Sequence, residues 1–239
     1  MSARPSQSTT LPTLVRIEFT FQVATRMPQR YKLQHCPSAS PNGFIGCNRP
    51  PDRIGRVTDA RKQLIDFISA DAVFHGDFTL TSGKKATYYV DLRRVSLDHR
   101  VAPLIGQVML DLIEGVADVS AVGGMTMGAD PVAAAILHQG AIRGLAYDAF
   151  VVRKEPKDHG RGRQVEGPDL EGKRVIVLED TSTTGGSPLA AIEALEKVGA
   201  EIAAVAVVVD RDTGAREIIE AAGYPYFAAI GLDDLGLSG

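Results

Sequence analysis

Val175-Ile-Val-Leu-Glu-Asp-Thr-Ser-Thr-Thr-Gly-Gly-Ser187 is the stretch whose reading decides the fold. Its apolar opening reads as a strand buried on both faces, and Glu179 and Asp180 fall at the C-terminal edge of that strand, taken as 174–180. The Thr/Gly turn then runs into PLAAIEALEKVGA (188–200), a helical stretch with Gly199 as its expected C-cap. Open α/β sheets bind ligands outside the carboxyl ends of their strands, so this corner is a candidate site. Two opposite affinities meet in it. Amides freed by Gly185 and Gly186, the hydroxyls of Thr183, Thr184 and Ser187, and the helix dipole suit a phosphate. Glu179 and Asp180 repel one; they accept hydrogen bonds from sugar hydroxyls or hold a hydrated divalent ion, so acids and cradle together fit a ribose 5-phosphate. The bland alternative is a Gly-rich corner capped by polar residues, which needs only one of the two features. Neither G-x-x-x-x-G-K-[ST] nor a G-x-G-x-x-G opening the first strand–helix turn is present.

Outward from this corner the same unit repeats in pattern. EIAAVAVVVD (201–210) reads as a buried strand, TGAREIIEAAG (213–223) as a helix and YPYFAAI (224–230) as a last strand. Upstream, VSAVGG (119–124) is a strand meeting a Gly turn, ADPVAAAILHQG (129–140) a helix starting near Asp130 and Pro131, and YDAFVVR (147–153) another strand. ARKQLIDFISADAVF (60–74) reads as a helix with Leu64, Ile65, Phe67 and Ile68 on one stripe, and 98–115 as a long amphipathic stretch. FTLTSG (78–83) and KATYYVDLRR (85–94) pair as a hairpin. Strands alternating with helices imply an α/β fold with right-handed crossovers and a mainly parallel sheet flanked by helices. Residues 154–172 have neither periodicity nor apolar content, which predicts a long mobile loop of the kind that acts as a lid.

Composition sets the outer limits. With 239 residues, 44% hydrophobic and 23% charged, the chain has the profile of a water-soluble protein with one main domain. Its apolar runs are short and broken by charges, far from the roughly 18 residues a membrane span requires, so no membrane role is expected. Cys36 and Cys47 have no second pair or ligand-spaced histidines beside them, which favours incidental thiols over zinc. Residues 1–56 carry eight Lys/Arg against Glu18 and Asp52, are rich in Pro, Ser and Gly, and show no sustained period. They read as a poorly ordered extension to a domain at 57–239. A translated leader is the plain reading of that extension; an organelle transit peptide and a nucleic-acid-binding arm are its alternatives. VRIEFTFQVATR (15–26) is neither long nor apolar enough for a secretory signal.

The acids and turn of 175–187 resemble the type I phosphoribosyltransferase family, whose characteristic segment is four apolar residues, two acids and a Thr/Gly-rich phosphate loop. The resemblance implies the type I phosphoribosyltransferase fold, a mainly parallel sheet flanked by helices with a small hood. It also implies that Glu179 and Asp180 bind the ribose hydroxyls of phosphoribosyl pyrophosphate, and that Thr181, Ser182, Thr183, Thr184, Gly185, Gly186 and Ser187 hold its 5-phosphate.

A second signal is Val152-Arg-Lys-Glu-Pro-Lys-Asp-His-Gly160, where four potential cations fall within seven residues at the base of the expected lid. Alone it would pass for a solvated charged loop. R-K-x-x-K-x-H-G resembles the flexible catalytic loop of orotate phosphoribosyltransferases, which closes over pyrophosphate, usually from the neighbouring subunit of a dimer. That makes Arg153, Lys154, Lys157 and His159 pyrophosphate ligands, with Lys157, His159 and Asp180 as the catalytic set.

Leu80-Thr-Ser-Gly-Lys-Lys-Ala-Thr-Tyr-Tyr-Val-Asp91 is similar to the family segment in which an aromatic residue covers the pyrimidine, a position taken by Tyr89. Val207-Val-Val-Asp-Arg211 matches the strand whose terminal arginine pairs with the carboxylate of the base. Tyr89, Thr183 and Arg211 are then the orotate-binding residues. The resemblance covers 59–239 and is strongest to actinobacterial members.

The expected reaction joins orotate and phosphoribosyl pyrophosphate (PRPP) into orotidine 5-monophosphate and pyrophosphate, in cytoplasmic pyrimidine (UMP) synthesis. Mg²⁺ is expected as cofactor, held through the donor and water with no direct protein ligand. The expected assembly is a homodimer, without nucleic acid or membrane. Transfer to another base, or a noncatalytic sensor of the same donor, are the alternatives. Two departures stand out: many relatives carry lysines where this chain has Thr81 and, in Gly123-Gly-Met-Thr-Met-Gly128, Met127. The backbone amides of 124–128 are then left to meet the pyrophosphate.

Overall fold

The computed structural model describes residues 53–79, 85–155 and 163–237. Among them, a six-stranded sheet runs β5-β4-β3-β6-β7-β8, every neighbouring pair parallel except β4 with β5. Its members are β3 (Ala121–Met125), β4 (Asp148–Val152), β5 (Val165–Glu166), β6 (Arg174–Ser182), β7 (Glu201–Asp210) and β8 (Tyr226–Ile230). A separate antiparallel hairpin of β1 (Val73–Thr79) and β2 (Lys85–Val90) forms the hood.

The period-2 alternation of β6 and β7 sorts the core into two layers. Ile176 and Leu178, with Ala204, Ala206 and Val208, face one side. There they meet Leu64 and Ile68 of α1 (Arg53–Asp71), Ile105, Met109 and Ile113 of α3 (Ala102–Ile113), and Val132 and Ile136 of α4 (Ala129–Ile142). Val175 and Val177, with Val205 and Val207, face the other side, against Ala191, Ile192 and Leu195 of α5 (Gly186–Glu196) and Ile219 of α6 (Ala215–Ala221). Both faces are covered, which explains why these strands read as unbroken apolar runs. A short α2 (Arg93–Ser96) links the hood to α3.

The strand order turns back on itself at β3. The chain passes from β3 to β4 on one side, then returns to β6 on the other and continues outward through β7 and β8. The carboxyl ends of β3 and β6 therefore diverge into connections that leave in opposite directions, which opens a crevice between them.

Several boundaries differ from the sequence reading. Helix α1 ends at Asp71, and Val73 and Phe74 already belong to β1. Its start at Arg53 also takes in the last residues of the segment read as an extension. The amphipathic stretch 98–115 narrows to Ala102–Ile113, with Pro103 in its first turn. β6 continues through Ser182 because β7 offers backbone partners as far as Ser182↔Asp210, so Thr181 and Ser182 are strand residues. The expected loop 154–172 is structured from Gln164 onward: the Arg153 amide donates to Gln164 O at 2.9 Å, β5 pairs with β4, and Leu170 is buried in the second core layer. Gln164 also donates through its side chain to Arg153 O at 3.0 Å, so tertiary pairing, not local periodicity, orders that segment.

Candidate active site

A cleft opens at the switch point, lined by β2 and the turn after it, by the loop after β3, by Lys154 after β4, by the ends of β6 and by Arg211 after β7. The parallel sheet brings the ends of β3, β4, β6 and β7 to one edge, and the hairpin adds β2 to the lining, which spans 122 residues of sequence from Tyr89 to Arg211. Of the residues singled out from the sequence, Tyr89, Lys154, Glu179, Asp180, Thr181, Thr183, Ser187 and Arg211 share this lining. Ser182, Thr184, Gly185, Gly186 and Arg153 are not among the lining residues. Ser182 is 1% exposed and donates its hydroxyl to Asp210. Gly185, at φ +74, makes the left-handed turn that starts α5. The Arg153 guanidinium stands 4.0 Å from Glu166, on the strand that returns beside β4. Lys157, His159 and Thr81 lie outside the described residues, as do Cys36 and Cys47.

Burial gives the two acids their character. It pushes the Glu179 carboxyl to about 8, with the neighbouring Asp180 charge adding to the effect. Asp180 also rises through burial, while the Thr181 amide, which donates to its Oδ1 at 2.8 Å, and the Arg93 guanidinium pull it back. Among the described residues, Glu179 Oε2 and Thr181 Oγ1 are buried with no hydrogen-bond partner. Orphaned acceptors at the mouth of a cleft mark where donors from a ligand fit.

Arg211 is 8% exposed, its Nε has no partner, and its guanidinium stands 5.8 Å from the Tyr88 ring centroid. A routine surface cation would be solvated. A buried guanidinium with an open donor is costly unless an anion completes it.

Gly128 lets the loop after β3 approach the acids. A Cβ there would lie 2.4 Å from Asp180 Oδ1, so any other residue would push the carboxylate aside. Beside it Met127 is 68% exposed, presenting a thioether in place of a cation. Thr126, joined to Met127 by a cis peptide, donates its hydroxyl to Asp130 at 2.8 Å, which ties the loop to the first turn of α4.

The sequence reading missed Asp91, Arg93 and Tyr88. Arg93 Nε donates to Asp91 Oδ1 at 2.8 Å, and both residues line the cleft. The signal available was the charged D-L-R-R run directly after the Tyr89 segment, since it continues the chain from a residue already expected in the site. Strand alternation also sends Tyr88 and Tyr89 to opposite faces, leaving Tyr89 in the cleft lining with its ring 5.9 Å from Phe78.

The carboxylate pair, the Gly-turned loop into α5 and the crevice at the switch point define a class, that of phosphoribosyl-transferring enzymes. The family model for the phosphoribosyl transferase domain matches residues 121–222. The chain is 59% identical over 182 residues to the orotate phosphoribosyltransferase of Streptomyces coelicolor, covering 76% of this chain and 100% of the relative. It is 58% identical over 175 residues to that of Tropheryma whipplei, covering 73% and 82%. The Mycobacterium tuberculosis H37Rv orotate phosphoribosyltransferase, crystallised with 5-phospho-alpha-D-ribosyl 1-diphosphate, superimposes with a TM-score of 0.65 at 48% identity, covering 74% of this chain and 99% of that one. The chain belongs to the orotate phosphoribosyltransferase family, and so to the pentosyltransferases.

Proposed function

We infer that the cleft transfers phosphoribose from PRPP to orotate, giving orotidine 5-monophosphate and pyrophosphate for pyrimidine synthesis. The bond from the anomeric carbon to the pyrophosphate oxygen breaks, a ring nitrogen of orotate forms the new bond, and the proton that nitrogen gives up is taken by the departing pyrophosphate. The observation that carries the acceptor assignment is Arg211, a nearly buried guanidinium with an open Nε beside the acids. An acidic base completes it and an uncharged base does not. Glu179 and Asp180 accept from the ribose hydroxyls, and the Asp180 carboxylate, held by the Thr181 amide and Arg93, sets negative charge beside a ring that becomes oxocarbenium-like as the leaving group departs. The loop from Thr183 to Ser187, with Thr181 beside it, holds the 5-phosphate at the start of α5, while the buried Ser182 turns its hydroxyl to Asp210 and supports that loop from behind. Tyr89 and Thr183 complete the acceptor site.

The leaving pyrophosphate falls to Lys154 and Arg153 together with Lys157 and His159 of the lid, which closes from the partner subunit of a homodimer and excludes water. Glu179 Oε2 and Asp180 give the cleft a hard-oxygen edge that accepts waters of a hydrated Mg²⁺ entering with the donor. When bound, that ion supplies positive charge to the leaving pyrophosphate. The catalytic domain is assigned to 57–239 and the enzyme to the cytoplasm. Among the described residues no helix is long and apolar enough to cross a membrane.

The test is orotate consumption by purified protein with the donor and Mg²⁺, with uracil and hypoxanthine as competing acceptors. Turnover of orotate alone supports the reading, and preference for either control overturns it. Chelation of the metal is expected to abolish turnover. Lys157→Ala is expected to lower kcat on the order of a hundredfold without lowering Tm, the scale of a lost transition-state contact. Arg211→Ala is expected chiefly to raise the KM for orotate.

A further inference from the structure

The acceptor arginine and the phosphate loop belong to different strands, yet the structure ties them together at two points. β6 and β7 pair in register as Thr181↔Val209 and Ser182↔Asp210. At the second pair the buried Ser182 hydroxyl donates to Asp210 Oδ1 at 2.7 Å, and the same oxygen accepts the Asp212 amide at 3.0 Å. Farther on, the Thr213 hydroxyl donates to the carbonyl of Thr183. Arg211 therefore sits in a turn pinned on both sides, by Asp210 before it and Thr213 after it. Asp212 holds φ +50, a region an L-residue occupies at a cost, and the bond from its amide to Asp210 stabilises that conformation. Neither Asp210 nor Thr213 is among the residues lining the cleft, so neither is placed to touch a ligand. Gly185 adds a packing contact in the same direction: a Cβ there would lie 3.4 Å from Ala215 O and from Ile219. The loop expected to grip the 5-phosphate thus rests on the segment that aims the acceptor arginine.

We propose that Asp210 and Thr213 are positioning residues that couple the two half-sites, so that a phosphate ordering the Thr183 backbone also fixes the Arg211 turn and tightens acceptor binding. The inference rests on the assignment of Arg211 to the acceptor and of the loop from Thr183 to Ser187 to the phosphate. Linkage makes the effect reciprocal: the acceptor tightens the phosphate ligand by the same factor. Low exposure of Ser182 shields its bond from water and makes the brace stiff.

The experiment is calorimetric titration of the full chain with orotate, in the presence and absence of saturating ribose 5-phosphate, which has the phosphate and sugar but no leaving group. The unaltered protein is expected to bind orotate about fivefold more tightly when ribose 5-phosphate is present, within the usual range of coupling between sites. Thr213→Val is expected to reduce that factor to below about twofold. Thr213→Ser, which keeps the hydroxyl, and Asp210→Asn, which keeps the accepting oxygen, are expected to retain it. Thr213 is exposed, so its variants test the brace without disturbing the core. Equal orotate affinity with and without ribose 5-phosphate in the unaltered protein, or full coupling in Thr213→Val, overturns the proposal. An Arg211→Met control separates the two levels of inference. Unchanged orotate binding in that variant overturns the site assignment itself; lost orotate binding together with unaltered coupling in Thr213→Val overturns the brace alone.

Discussion

Glu179 carries an ionisation that the rest of the fold opposes. Its carboxyl is raised from the ordinary carboxylate range to about 8, so between those values the folded state holds a proton that the unfolded chain has lost. Its contribution to stability is complete below the unfolded value and disappears as pH rises through about 8. Ligand-free protein is therefore expected to lose up to about 1.4 kcal/mol per pH unit across that window from this group, read as a falling Tm. Glu179→Gln is expected to flatten that slope. Gly128 makes a different demand, since its α-region φ of −69° needs no glycine and only the carboxylate 2.4 Å from a Cβ does. Gly128→Ala is expected to displace Asp180 and lower kcat/KM by about a hundredfold while Tm changes little, because the group that yields is a side-chain tip at the cleft and not the core. Circular dichroism alongside steady-state kinetics checks the split. The identity of both acids was legible in the sequence; their protonation behaviour was not, because burial depends on what β2, the loop after β3 and α2 place around them.

At the scale of elements, the strand–turn–helix corner behaves as its sequence says, and the reason is local. An apolar run of β-branched residues and a helical stretch each favour one backbone state, and Gly185 between them is free to take the left-handed turn that joins the two. α5 also ends as Gly199 requires: its amide donates to Glu196 O at 3.0 Å, and that of Ala200 to Leu195 O at 3.1 Å. Gly185→Ala forces an L-residue to φ +74 and is expected to destabilise the fold by about 1 to 2 kcal/mol and to raise the KM for the donor, as thermal melts and donor titrations would show. The elements misjudged are those decided by pairing. β6 gains Thr181 and Ser182 from β7, Val73 and Phe74 leave the helix because β2 supplies partners at Val90 and Tyr89, and β5 exists because β4 has a free edge. None of those partners is visible within a local window of sequence.

The whole molecule is closed by contacts between its described ends. Arg61 of α1 donates to Ala229 O at 3.1 Å and to Asp234 at 2.6 Å, joining the first helix to the end of β8 and the turn beyond it. That pair is partly exposed, at 40% and 28%, so Arg61→Ala is expected to cost only about 1 kcal/mol, seen as a lower Tm with kcat/KM unchanged. A chain beginning at Arg53 keeps this clasp and both core layers and is expected to match the full chain in activity and melting temperature. Read from sequence alone, the protein already declares an alternating α/β chain, a ribose-phosphate corner and a set of candidate cations, since periodicity and motif spacing are properties of neighbouring residues. Only the tertiary structure decides that β3 is the point of reversal, that Arg211 is buried against Tyr88, that Asp91 and Arg93 enter the cleft, and that the acceptor turn is pinned to the phosphate loop. Those facts arise from contacts between residues far apart in the chain, and burial and pairing across such distances have no signature until the sheet has formed.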